Sequence, residues 1–151
     1  MEKSKDFEEF FESLNRNEVR YLVVGGYAFA VYAEPRYTKD IDIFFDRKRS
    51  NTKKLMCAIR DFGFESLELK SDDFIRPGQV IQIGHPPLRI DLINEVDGVE
   101  FTRCWRNKIR TTYGDQNIYI IGKDDLIKNK KASGREQDLL DARMLERSGD
   151  W

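Results

Sequence analysis

The sequence predicts a mixed α/β (α+β) fold, one mixed sheet flanked by helices, on three observations. Apolar residues recur at helical spacing in some segments and form short β-rich runs in others. Their order is helix–strand–helix–strand–helix, then several strands, then helices. A Gly25-Gly26 pair joins an apolar strand-like run directly to a helical one. Two later runs alternate aspartate with isoleucine or leucine, which is the period of a strand. No repeat, low-complexity tract or linker interrupts residues 1–151, so a single domain with its own core is expected.

Each element has a local reason. Phe7, Phe10, Phe11 and Leu14 give Asp6–Leu14 the stripe of an amphipathic helix. Tyr21–Val24 reads as a buried strand, and a second helix runs from about Gly26 to Ala33, stopped by Pro35. Ile41–Phe45 is the next strand, entered through Asp40. Ser50 and Asn51 are candidate caps for a third helix carrying Leu55, Met56, Ile59 and Phe62 and ending near Gly63. Phe64–Leu69 and Val80–Ile83 look strand-like and lead to a further strand over Leu88–Ile93. Pro86 and Pro87 mark the loop entering it, since neither can donate a ladder hydrogen bond. Phe101–Lys108 suits a short helix, and Ile109–Tyr113 with Ile118–Ile121 suits a hairpin about Gly114-Asp115. From Lys123 the pattern is helical, broken near Ser133-Gly134 into two short C-terminal helices.

Bulk properties narrow the class. The chain is 40% hydrophobic and 35% charged, as in soluble proteins, and its formal net charge of −1 argues against a dominant electrostatic grip on nucleic acid. No signal-peptide core or window of transmembrane length is present, so no membrane association and a cytoplasmic location are expected. Cys57 and Cys104 lack metal-ligand spacing and read as reduced packing residues. His85, the only histidine, stands beside prolines in a loop and reads as incidental.

The chemistry concentrates at Asp40 and Asp42. Two apart on a strand, they share a face, and two buried ionised carboxylates repel unless a cation relieves them. Mg²⁺ prefers one or two protein carboxylates plus substrate phosphates. An Asp-x-Asp also serves as a cap plus an ion-paired carboxylate, so the motif alone leaves both readings open. Upstream, with thirteen residues between Gly26 and Asp40, Gly25 and Gly26 end one strand and open a helix, where backbone N–H groups and the helix dipole suit phosphate. Glycines are also ordinary turn residues there. Asp91, in the Leu88–Ile93 run, offers a third carboxylate of the sort two-metal sites use, their ions lying roughly 4 Å apart. Arg89, on the same face, is its alternative partner.

Taken together, Val24-Gly25-Gly26, Asp40-Ile41-Asp42 and Asp91 resemble the signature of the DNA polymerase β-like nucleotidyltransferase superfamily. The segment from Gly25 to Ile43 looks like its small branch of minimal nucleotidyltransferases and abortive-infection toxin relatives, whose members are largely uncharacterised. Ile83–Phe101 and Asn129–Asp141 are similar to stretches recurring there, and the resemblance spans most of residues 20–145. It implies a nucleotidyltransferase fold and a 2.7.7-type enzyme that moves a nucleoside monophosphate from an NTP, ATP foremost, to an acceptor hydroxyl. Asp40, Asp42 and Asp91 would be the catalytic and metal-binding trio for two Mg²⁺, with Mn²⁺ as a substitute, and Gly25 and Gly26 would hold phosphate. Lys130 and Arg135 match the pattern Asn-Lys-x-Ala-x-Gly-Arg and are implied phosphate contacts. Arg36, Thr38 and Lys39, just before the aspartate pair, could reach phosphate as well.

Read without the resemblance, Lys128, Lys130, Lys131 and Arg135 are a solvated basic face with an Arg135–Asp138 pair worth tenths of a kcal/mol. Phe101, Trp105 and Tyr113 are core before they are base-stacking residues. The acceptor stays open between a protein, a small molecule and an RNA end. The run Arg36-x-Thr38-x-Asp40-x-Asp42 also resembles lincosamide nucleotidyltransferases, while near-neutral charge and the lack of a second domain favour a small molecule or a protein. The alternative is a non-catalytic or regulatory component of a toxin–antitoxin pair, binding nucleotide and a protein partner.

Overall fold

The strand-like runs pair into one sheet because each buries at least one apolar face. The computed structural model describes residues 4–36, 38–63, 69–84 and 89–149. Among these residues the strands are β1 (Tyr21–Val24), β2 (Asp40–Phe45), β3 (Val80–Ile83), β4 (Arg89–Ile93), β5 (Ile109–Tyr113) and β6 (Gln116–Ile120). The helices are α1 (Lys5–Arg16), α2 (Gly25–Tyr32), α3 (Arg49–Phe62), α4 (Ser71–Ile75), α5 (Phe101–Arg106), α6 (Lys123–Ser133) and α7 (Glu136–Arg147). Strand order across the sheet is β3-β4-β2-β1-β6-β5. β1 runs antiparallel to β2 and parallel to β6, and β2 runs parallel to β4. The sheet is therefore mixed, and β1 and β2 lie at its centre, each with a strand on both sides.

That placement matches the sequence. All four residues of β1 are buried, whereas β2 alternates at its start, with Ile41 and Ile43 buried and Asp40 and Asp42 partly open. Phe45 on the apolar face meets Phe74 of α4 edge-on at 6.0 Å. Phe44, on the aspartate face, meets Phe101 of α5 at 5.1 Å. α1 buries the expected Phe7, Phe10, Phe11 and Leu14, and the Ser4 hydroxyl caps it by accepting from the Phe7 N–H at 3.3 Å. Tyr113 is buried in that core, and Trp105 packs against Phe101 and Tyr119.

Several expectations need correction. α3 starts at Arg49 and is not capped by Ser50 or Asn51. The buried Asn51 side chain accepts from the Arg20 N–H at 2.7 Å and donates to the Arg20 and Asp46 carbonyls. It thus ties the start of β1 to the end of β2. Cys57 is exposed on α3, and only Cys104 is buried. The sequence reading contains no α4, and Leu69 lies outside any strand; the rest of the expected Phe64–Leu69 strand, and His85 with its prolines, lie outside the described residues. The second hairpin strand begins at Gln116, earlier than its apolar residues indicate.

Glu18, in the α1–β1 turn, holds φ at +55°, a left-handed conformation that favours glycine. Glu18→Gly should raise stability by about 0.5–1 kcal/mol in urea unfolding, with an unchanged circular dichroism spectrum.

Candidate active site

The site forms where β1 ends beside the start of β2. Gly25 turns the chain from β1 into α2 with φ of +67°. A Cβ on Gly25 would land inside the Asp42 carboxylate, so glycine is what lets that carboxylate sit against the corner. Gly26 differs: a Cβ there would meet Thr38 at 3.9 Å, ordinary van der Waals contact. Nothing among the described residues demands glycine at position 26. Thr38 shapes the entry to β2, its hydroxyl donating to the Asp40 carbonyl at 2.7 Å and accepting from the Asp40 N–H at 3.3 Å.

The parallel register of β2 and β4 sets the rest. Asp40 stands opposite Arg89 and Asp42 opposite Asp91, which puts three carboxylates and one guanidinium on the same face of the sheet. Arg89 spans two of the acids: its Nη2 lies 2.8 Å from Asp40 Oδ2 and its Nε 3.2 Å from Asp91 Oδ1. The second contact is an ion pair whose angle makes no hydrogen bond, so the buried Oδ1 of Asp91 is left without one. Asp42 has no such cation. Burial first, then the charges of Asp91 and Asp40 and a hydrogen bond to Asp91, push its acid up to about 6, against a smaller downward pull from Arg89.

Among the described residues no three His, Cys, Asp or Glu side chains form a ready-made metal-ligand group, and the Arg89 guanidinium stands between Asp40 and Asp91. The donor set nevertheless fits a divalent cation. It supplies only hard carboxylate oxygens, carries three acids against one base, and includes a buried oxygen lacking a hydrogen bond.

Lys130 and Arg135 sit at the α6–α7 junction. Lys130 is buried, with its ammonium 3.0 Å from Asp141 and 3.2 Å from Asp138. Arg135 is largely exposed, 3.8 Å from Asp138. Asp141 is the centre of this cluster. It accepts from both ends of the Arg36 guanidinium at 3.0 and 2.8 Å, from Lys130, and from the Gln137 amide at 2.9 Å. Burial alone would raise the Asp141 acid, but these donors outweigh it and hold the carboxyl well below its usual range. Arg36 also lies over the Phe29 ring of α2 at 4.0 Å. The cluster therefore clasps α6 and α7 to the segment that leads into β2.

Sequence reasoning placed Asp40, Asp42, Asp91, Gly25, Gly26 and Thr38, and the fold brings these six into one neighbourhood. It missed the Arg36–Asp141 clasp, whose partners lie too far apart for any local pattern to join them. It noted Arg89 as a partner for Asp91 but not for Asp40, which the register alone reveals.

The fold is one that nucleotidyltransferases adopt. The chain belongs to the family described as "Nucleotidyltransferase of unknown function (DUF6036)", which matches residues 4–146. No curated protein sequence matches it. Among solved structures it is similar to the lincomycin-bound crystal structure of the lincosamide antibiotic adenylyltransferase LnuA. The TM-score is 0.62 at 20% identity, over 95% of this chain and 96% of that one. At that identity the likeness is one of fold.

Two outcomes follow from this geometry. Gly25→Ala should disturb Asp42 and lower the melting temperature, whereas Gly26→Ala should melt with the parent; equal melting of all three proteins would contradict the close approach at Gly25. Asp141→Asn removes the carboxylate that Arg36 and Lys130 share and should cost about 3–5 kcal/mol in urea unfolding at neutral pH. Because the folded acid is depressed, its contribution is complete above the unfolded value near ~4 and is lost as pH falls through the folded one. The gap between parent and variant should therefore close in acid.

Proposed function

We propose that this nucleotidyltransferase moves a nucleoside monophosphate from a Mg²⁺-bound NTP to an acceptor hydroxyl, releasing pyrophosphate. The observation that carries the reading is the in-register pairing of Asp42 with Asp91, beside Asp40 on the same face and against the Gly25 corner. Asp40, Asp42 and Asp91 would hold Mg²⁺, or Mn²⁺ in its place. When bound, the metal neutralises phosphate charge and makes the attacking hydroxyl more acidic.

The chain's own residues do the rest. Gly26, at the start of α2, gives phosphate oxygens access to backbone N–H groups with no side chain in the way. Thr38 fixes the strand entry, so that Asp40 and Asp42 keep a constant spacing. In the reaction the acceptor oxygen bonds to the α-phosphorus as the bond to pyrophosphate breaks. The hydroxyl proton passes to Asp91, whose Oδ1 carries no hydrogen bond. Arg135, exposed at the head of α7 and only loosely paired with Asp138, would meet the outer phosphates, while Lys130 acts through its hold on Asp141 and so on Arg36.

The fold likeness to an antibiotic adenylyltransferase supports ATP as donor and a small hydroxyl-bearing molecule as acceptor. The near-neutral net charge of −1 agrees with an acceptor other than a long polyanion.

Incubation with α-³²P-labelled NTPs and small-molecule extract should give Mg²⁺-dependent label transfer that falls at least about 100-fold in the Asp40→Asn/Asp42→Asn pair. Each substitution removes a charge from the crowded acidic face, Asp40→Asn with loss of its ion pair to Arg89, and the circular dichroism spectrum should match the parent. Equal transfer by parent and variant defeats the proposal.

A further inference from the structure

We infer that Arg89 is an exchangeable counter-ion. In the metal-free protein it occupies the cation position between Asp40 and Asp91, and on nucleotide binding its guanidinium leaves these carboxylates for the phosphates. The inference rests on the metal-dependent reading above and adds a role for a residue outside that trio.

Among the arginine–carboxylate contacts of the described residues, those of Arg36 and Arg89 differ in kind. Arg36 meets Asp141 through two parallel hydrogen bonds, lies over an aromatic ring, and shares its carboxylate with Lys130 and Gln137. Two cations there face Asp141 and Asp138, and the Asp141 side chain is 1% exposed. Charge is balanced and donors are satisfied, which makes a permanent fastening. Arg89 makes one contact to each of two acids and only one of them is a hydrogen bond. Among the described residues its guanidinium has no other hydrogen bond or ion pair, and its side chain is 45% exposed. It is outnumbered, since Asp42 faces Asp91 and pairs with no cation among the described residues. A single charge cannot satisfy three acids, so this arrangement is held loosely.

The fork geometry explains why arginine suits the place. Nε and Nη2 span the gap between Asp40 and Asp91, which a point-charge ammonium does not. A cation that occupies the metal's ligands must be displaced before those oxygens can coordinate, so free metal binds weakly. Once displaced, Arg89 is a long cation at the rim of a site holding a polyphosphate, and its bidentate donors match phosphate oxygens as well as carboxylates. Exchange of one anionic partner for another lets metal and nucleotide arrive together at little loss of guanidinium contacts. Metal alone receives no such compensation.

Mn²⁺ binding, read from the electron paramagnetic resonance of the free ion, tests this with the parent, Arg89→Met and Arg89→Lys, each checked for folding by circular dichroism. Arg89→Met should bind Mn²⁺ alone about tenfold more tightly than the parent, and Arg89→Lys should show a smaller gain in the same direction. With α,β-methylene-ATP present the order should reverse, Arg89→Met binding the metal–nucleotide complex more weakly. In the unsubstituted protein, Mg²⁺ with the analogue should shift the ¹⁵Nε resonance of Arg89, assigned by its loss in Arg89→Lys. A resonance unmoved at saturation overturns the inference, as does equal Mn²⁺ affinity in the parent and a folded variant. If Asp40→Asn/Asp42→Asn abolishes Mn²⁺ binding while the Arg89 variants leave it unaltered, the metal reading stands and this inference alone falls. No Mn²⁺ binding in any protein removes both.

Discussion

Repulsion among Asp40, Asp42 and Asp91 is the constraint on which the other features turn. Two parallel strands in register bring these side chains onto one face, and burial together with the neighbouring charges pushes the Asp42 acid up. A fold selected for stability alone would place apolar residues at such positions, as it does at Ile41, Ile43 and Leu92 on the opposite face. Retaining three acids there means accepting a destabilised corner in exchange for a site that attracts a cation. The corner itself serves this arrangement, because only a residue without Cβ lets Asp42 come so near the turn.

Rigidity is supplied from elsewhere in the molecule. The Asn51 amide ties the start of β1 to the end of β2, at the opposite end of the strands from the acids. The Arg36–Asp141–Lys130 cluster anchors the approach to β2 to α6 and α7. The charged centre can thus be strained because the backbone carrying it is fastened on both sides by groups whose own hydrogen bonds are complete.

Much of this was legible in the sequence where period and chemistry coincide. The alternation Asp40-Ile41-Asp42-Ile43 and Ile90-Asp91-Leu92 told both strand identity and which residues share a face, because a two-residue period permits only one partition. The glycine corner was legible as a turn, but not the reason for Gly25, which depends on a carboxylate seventeen positions further on in the same sequence. α4 was missed because Phe74 is its single buried anchor, and a five-residue helix has no period to detect. Its start is fixed by the Asp73 carboxylate accepting from the Lys70 N–H at 2.7 Å, a local bond that polar residues form equally in turns. The helix-start reading at Asn51 failed for a related reason: the amide that could cap is already engaged by Arg20 and Asp46. Lys130 was expected to meet phosphate, or solvent if read without the resemblance, because nothing local signals that Asp141, a full helix later, would bury it.

The parallel pairing of β1 with β6 has a kinetic implication. Val23 meets Ile120, so the central strand acquires its second neighbour only after most of the chain has been synthesised. The β1–β2 ladder, local by comparison, can close earlier, and it already brings Asp42 beside the turn at Val24. On the ribosome the acidic face would therefore exist before the hairpin of β5 and β6 covers the far edge of β1. During that interval the unpaired edge of β1, apolar along its whole length, is the surface most exposed to misassociation.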